Sequence, residues 1–113
     1  MSTLYNENLR KADINISTSG DNTIIAAPAT AGNYLAIDFI SFMPTTAVGV
    51  QLKAGSTAYG GPLPLDAKQP LTWENAIGNE HGIITMPANT AFVINLDGAV
   101  QVGGVIRYRE VGN

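Results

Sequence analysis

The sequence contains no cysteine, which excludes a disulfide framework and a thiolate metal site. It has one histidine, His81, and one tryptophan, Trp73, in 113 residues. A metal centre needs three or four convergent ligands, usually oriented by further hydrogen bonds. His81 beside Glu80, with Glu74 a short loop away, does not supply them, so it reads as a surface loop residue. Charge is also scarce, at 13% of residues, about half the usual share. Six residues are basic: Arg10, Lys11, Lys53, Lys68, Arg107 and Arg109. Arg107 and Arg109 fall on one strand parity, but two cations are not the stripe that displaces counterions from nucleic-acid phosphates. Aromatic residues, at 7%, are too few for a broad stacking surface. No apolar run approaches the ~20 residues of a membrane helix. Residues 1–8 lack the basic and apolar regions of a signal peptide, so the expectation is a soluble chain made in a cytoplasm.

Catalytic patterns are missing too. Asp66, Glu74, Glu80 and Asp97 are candidates for paired carboxylates, but their spacing indicates nothing, because strands could bring any two together, and they read as solvated loop charges. The serines lack a G-x-S-x-G elbow. Gly60-Gly61 and Gly103-Gly104 lack the pattern and the helix that phosphate loops require. We therefore expect no enzyme and no cofactor.

What is present is alternation with a period of two. Ile14 and Ile16 alternate with Asp13, Asn15 and Ser17, and Val48, Val50 and Leu52 with Gly49, Gln51 and Lys53. Phe92, Ile94 and Leu96 form a third set, and Val100, Val102, Ile106 and Tyr108 a fourth. Each describes a strand with one buried face. Between Tyr34 and Met43 the parity changes: Leu35 and Ile37 lie on one, Ile40 and Phe42 on the other. Either a bulge near Asp38-Phe39 switches the face, or both faces are covered. Gly104 falls on the buried parity of the last strand, where it makes room for a large neighbour or marks a bulge with Gly103.

Turn signals recur at short intervals: Ser19-Gly20-Asp21-Asn22, Ala31-Gly32-Asn33, Ala54-Gly55-Ser56, Gly60-Gly61-Pro62, Gly78-Asn79 and Asp97-Gly98. Strands are expected near 13–18, 22–27, 34–43, 47–54, 57–59, 70–74, 82–86, 91–96 and 99–109, with prolines at their ends and no convincing helix. This gives an all-β, two-sheet antiparallel sandwich of about eight strands, jelly-roll-like. One tension remains. Asp97-Gly98 between two alternating runs signals a tight hairpin, whereas a jelly roll places its last two strands in opposite sheets and makes that turn a corner.

The chain divides into residues 1–12, a polar N-terminal segment, and a single sandwich domain over 13–113. Leu4, Tyr5 and Leu9 are the large apolar groups of the first segment. It reads either as a frayed terminus or as an arm docking onto a neighbouring subunit through Leu4 and Tyr5. Trp73 belongs to the core or a subunit interface, or with Tyr59 offers a platform for a sugar ring. The loop over 66–81, with Trp73 and His81, is the candidate contact surface for a ligand.

Several pieces resemble a recurrent small domain of tailed-bacteriophage virion proteins. They are Ser19-Gly20-Asp21-Asn22-Thr23-Ile24, then Val50-Gln51-Leu52-Lys53-Ala54-Gly55-Ser56-Thr57-Ala58 and Gly61-Pro62-Leu63, and finally Ile94-Asn95-Leu96 with Ala99-Val100-Gln101-Val102-Gly103-Gly104. The resemblance runs from about Ile14 to Tyr108. It departs over 66–81, where Lys68-Gln69-Pro70-Leu71-Thr72-Trp73-Glu74 replaces a glycine-rich stretch. It implies a jelly-roll-like module used in capsid decoration (cement) proteins and in tail or fibre proteins, commonly a homotrimer. On that basis the expected partners are copies of the chain itself and the major capsid protein or other virion proteins. The expected location is the virion.

Overall fold

Among the described residues ten strands form, the alternating runs among them, and they pair antiparallel into two sheets. The computed structural model describes residues 9–74 and 83–112. The strands are β1 (Arg10–Ile16), β2 (Gly20–Ile25), β3 (Tyr34–Pro44), β4 (Val48–Ala54), β5 (Thr57–Ala58), β6 (Leu63–Leu65), β7 (Leu71–Glu74), β8 (Ile84–Thr85), β9 (Phe92–Leu96) and β10 (Val102–Val111). One sheet, here the front sheet, runs β1-β10-β3, with β7 and β8 both pairing to the free side of β3. The back sheet runs β2-β9-β4, with β5 and β6 both pairing to the free side of β4.

Counting β5/β6 and β7/β8 as two interrupted edge strands leaves eight strand positions. They swap sheets at every step but one, the β4 to β5/β6 hairpin. That winding is a jelly roll. The Asp97-Gly98 turn joins β9 of the back sheet to β10 of the front sheet, so it is a corner and not a hairpin. Asp97 stays tied to β4: its amide donates to the Gly49 carbonyl at 3.0 Å, and its carboxylate Oδ1 accepts the Gly49 amide at 2.8 Å.

The core lies between the sheets. Ile14, Leu35, Ile37, Ile40, Phe42 and Ile106 of the front sheet meet Val50, Leu52, Phe92, Ile94 and Leu96 of the back sheet. Each of these side chains contributes roughly 1.5–3 kcal/mol relative to exposure. The parity change in β3 is a bulge. Arg107 pairs with Phe39 and Tyr108 with Ile37, which leaves Asp38 as the extra residue. Ile37 and Ile40 both reach the core, and Asp38 and Phe39 turn to the outer side.

Gly104 is needed for close approach and not for a bulge, since the register through Gly103 and Gly104 is unbroken. A Cβ there would strike the Ser41 carbonyl oxygen and sit 2.6 Å from the Phe42 Cα. Several boundaries differ from the sequence expectation: β1 spans Arg10–Ile16 and not 13–18, so it runs across the 12/13 division; β2 spans Gly20–Ile25 and not 22–27; β8 spans Ile84–Thr85 and not 82–86; and β10 spans Val102–Val111 and not 99–109. β6 was not expected. Pro64 sits inside it, which an edge strand tolerates because one side needs no donor.

Candidate interaction surface

The register of the front sheet fixes the composition of its outer face. Across it run the rows Lys11–Arg107–Phe39–Glu74, Asp13–Val105–Ser41–Thr72 and Asn15–Gly103–Met43. Phe39 and Val105 are half-buried and Met43 is 43% exposed, so a short apolar strip crosses an otherwise polar face. Beside it the Ser41 and Thr72 hydroxyls share a hydrogen bond of 2.9 Å. Lys11 and Asp13 form an exposed ion pair at 3.2 Å. Further along, Arg109 lies beside Ala36 and reaches the bulge residue Asp38 through two hydrogen bonds, Nε to Oδ2 at 2.8 Å and Nη2 to Oδ1 at 3.1 Å. Arg107 and Arg109 share the face as their parity requires, but Arg109 is buried and Arg107 exposed.

The outer face of the back sheet is knit together differently. The Lys53 amine crosses from β4 over β9 to hold both oxygens of Asp21 on β2, each at 3.0 Å. Its stem lies over Val93, its register partner, which is buried although it points away from the core. Asn95 donates to Asp21 Oδ1 at 2.7 Å. These donors, Asn95 first and Lys53 second, hold the Asp21 carboxyl below its ordinary value.

The candidate contacts fall in different places. Trp73 stands on edge strand β7 opposite Ile40, on the core-facing side, yet it is 37% exposed and outside the core cluster. Of the places the sequence offered for it, the core is the one its exposure excludes; a subunit interface or a ligand platform remains. Tyr59 is exposed just after β5, on the interrupted edge of the back sheet. Leu9 is partly buried immediately before β1. Leu4, Tyr5 and His81 lie outside the described residues. The chain leaves the front-sheet edge at Glu74, opposite Phe39, and rejoins it at Ile84, opposite Ile37.

Sequence reasoning missed Asn89. With φ +54° it joins two loops at one end of the sandwich: its Oδ1 accepts the Gly32 amide, and its Nδ2 donates to the Pro28 and Thr30 carbonyls at 2.9 and 2.8 Å. The available signal was an asparagine before a strand, a residue type that tolerates the left-handed region. A shallow depression lined by Val48, Gly49, Pro64, Leu65, Asp66 and Asp97 brings two carboxylates to one rim. Among the described residues, no three histidine, aspartate or glutamate side chains converge as metal ligands would. No protein-family model matches the sequence, and no curated protein is significantly similar to it.

Proposed function

We propose that the chain is a virion structural protein, a capsid decoration module that binds the outer surface of a phage head and holds neighbouring capsid subunits together. The observation that carries this reading is the outer face of the front sheet. There Phe39, Val105 and Met43 form an apolar strip bordered by Lys11, Asp13, Arg107 and Glu74 and by the Ser41 and Thr72 hydroxyls. An apolar strip bordered by polar and charged side chains suits packing against another protein surface. Weak single contacts become tight when several copies engage one particle at once. The trimer implied by the sequence resemblance is one way to supply those copies, and particle binding does not depend on it. Co-sedimentation with expanded tailed-phage capsids tests the reading. Binding by the wild type, reduced at least tenfold in Val105→Glu and Met43→Lys variants that stay folded, is expected. A folded chain that ignores expanded capsids overturns it.

A second reading has its own observation. Trp73 and Tyr59 are exposed aromatics on the two interrupted sheet edges, which suits a tail or fibre component that stacks on a host glycan. Loss of glycan or cell binding in Trp73→Ala, with the fold intact, selects this reading over the first.

A further inference from the structure

We infer that β1 is a self-association edge, joining two copies of the chain antiparallel about a two-fold axis through Ala12. The starting observation is how unevenly the four sheet edges of the described residues are protected. The β5/β6 and β7/β8 edges are broken into short pieces, with Pro64 inside β6 and Pro70 directly before β7. The β2 edge begins at Gly20 and shifts register between Thr23 and Ile25. These are standard ways of stopping one sheet from pairing with another. β1 has none of them. Its seven residues contain no proline and no glycine, and they pair with β10 one for one from Arg10 to Ile16. In such a ladder alternate residues turn their amides and carbonyls away from the partner strand, so β1 presents a regular row of them at the sheet edge.

The side chains on β1 select one register. A second copy extending the sheet about a two-fold axis must keep core-facing residues on the core-facing side, so the axis passes through a residue and not between two. Centred on Lys11, the pairing sets Lys11 against itself; centred on Asp13, it sets Asp13 against itself. Like charges directly opposite are destabilising. Centred on Ala12, Lys11 faces Asp13 of the second copy, and Asp13 faces its Lys11. Both side chains are well exposed, at 63% and 73%, and free to turn from their contact along the strand to one across it. The contact is isologous and closes on itself. It leaves the outer sheet faces and the β7/β8 edge available for capsid contacts. Because one short strand buries little area, the association is weak and shows at high concentration.

Sedimentation from about 1 μM to about 1 mM protein tests the inference, since weak contacts populate over that range. The wild type is expected to form dimers, or hexamers if a separate three-fold contact also operates. Lys11→Asp alone and Asp13→Lys alone are each expected to associate about tenfold more weakly, since two attractive pairs become two repulsive ones. The double variant Lys11→Asp/Asp13→Lys is expected to recover wild-type association, and so is an equal mixture of the two single variants. Both positions are exposed, so circular dichroism is expected to report an unchanged fold. A monomer over the whole range, a trimer, or a dimer indifferent to these charges overturns the inference. None of those results bears on capsid binding through the front-sheet face, which co-sedimentation reads separately.

Discussion

Removing the Asp38 side chain is expected to be among the most damaging polar substitutions in the chain. The Asp38 and Arg109 side chains are only 8% and 7% exposed, so water cannot replace what one gives the other. Their two hydrogen bonds are charge-assisted and bidentate, at 2.8 and 3.1 Å. Breaking a buried pair by deleting one member costs about 3–5 kcal/mol, because the remaining charge keeps its desolvation penalty. Asp38→Ala and Arg109→Ala are each expected to fall in that range, a large share of the roughly 5–15 kcal/mol that holds a domain folded. At about 4 °C per kcal/mol for a chain of this length, the melting temperature falls by about 12–20 °C. Urea denaturation of the two single variants and the double variant forms the appropriate cycle. The double variant should lose less than the sum of the singles by about 1–3 kcal/mol. Single losses below about 1 kcal/mol, or additivity within about 0.5 kcal/mol, would refute the reasoning.

Gly104→Ala should destabilise by about 3 kcal/mol or more, because the added methyl meets β3 backbone that cannot turn aside; urea denaturation reads it, and a loss under about 1 kcal/mol contradicts the close approach. Trp73→Ala should cost under about 1.5 kcal/mol, well short of the roughly 3–5 kcal/mol of a core tryptophan, and global unfolding of this variant would return the residue to the core. Asp21 titrates below its ordinary value of 3.8, so its contribution to stability is complete above the unfolded value and is lost only as pH falls through the lower folded one. Carboxyl NMR titration should show the Asp21 midpoint rising towards 3.8 in Asn95→Ala, and to a lesser degree in Lys53→Met; an unmoved midpoint in Asn95→Ala contradicts the assigned cause.

The fold was legible because a sandwich writes itself into alternate residues. The parity change from Leu35 and Ile37 to Ile40 and Phe42 left two readings, a bulge near Asp38-Phe39 or two covered faces, and the structure has a bulge, at Asp38. The ion pair at that bulge was not legible. An aspartate within an apolar strand reads as a local exception, and its partner lies 71 residues away with nothing in the sequence to join them. β6 was hidden by Pro62 and Pro64, because turn residues and edge-strand residues overlap wherever one side of a strand needs no donors. The Asp97-Gly98 signal conflicted with the jelly-roll reading for a related reason, and the structure keeps the jelly roll. Local chemistry specifies a reversal of direction, but whether the chain returns to the same sheet or crosses to the other depends on what the flanking strands bury. For Trp73, size left the core, a subunit interface and a ligand platform open; the position of β7 at a sheet edge, which sequence does not give, is what takes it out of the core.

Scarce charge makes the few ionic side chains on β1 informative, and salt separates the two roles they can have. Lysine on an exposed edge usually blocks pairing. Two lysines at positions 11 and 13 would repel a second copy when centred on Ala12, and two aspartates would do the same. One of each, two residues apart, leaves that register attractive and penalises its neighbours, so a blocker becomes a selector. The opposing signs predict opposing salt responses. Between about 0.01 and 1 M salt the Debye length falls from about 30 to about 3 Å, and exposed pairs are progressively screened. Association of the wild type should weaken with salt, and association of Lys11→Asp or Asp13→Lys should strengthen, until the three converge. Hydrophobic association would strengthen with salt in all three alike, and that common direction would remove β1 as the contact.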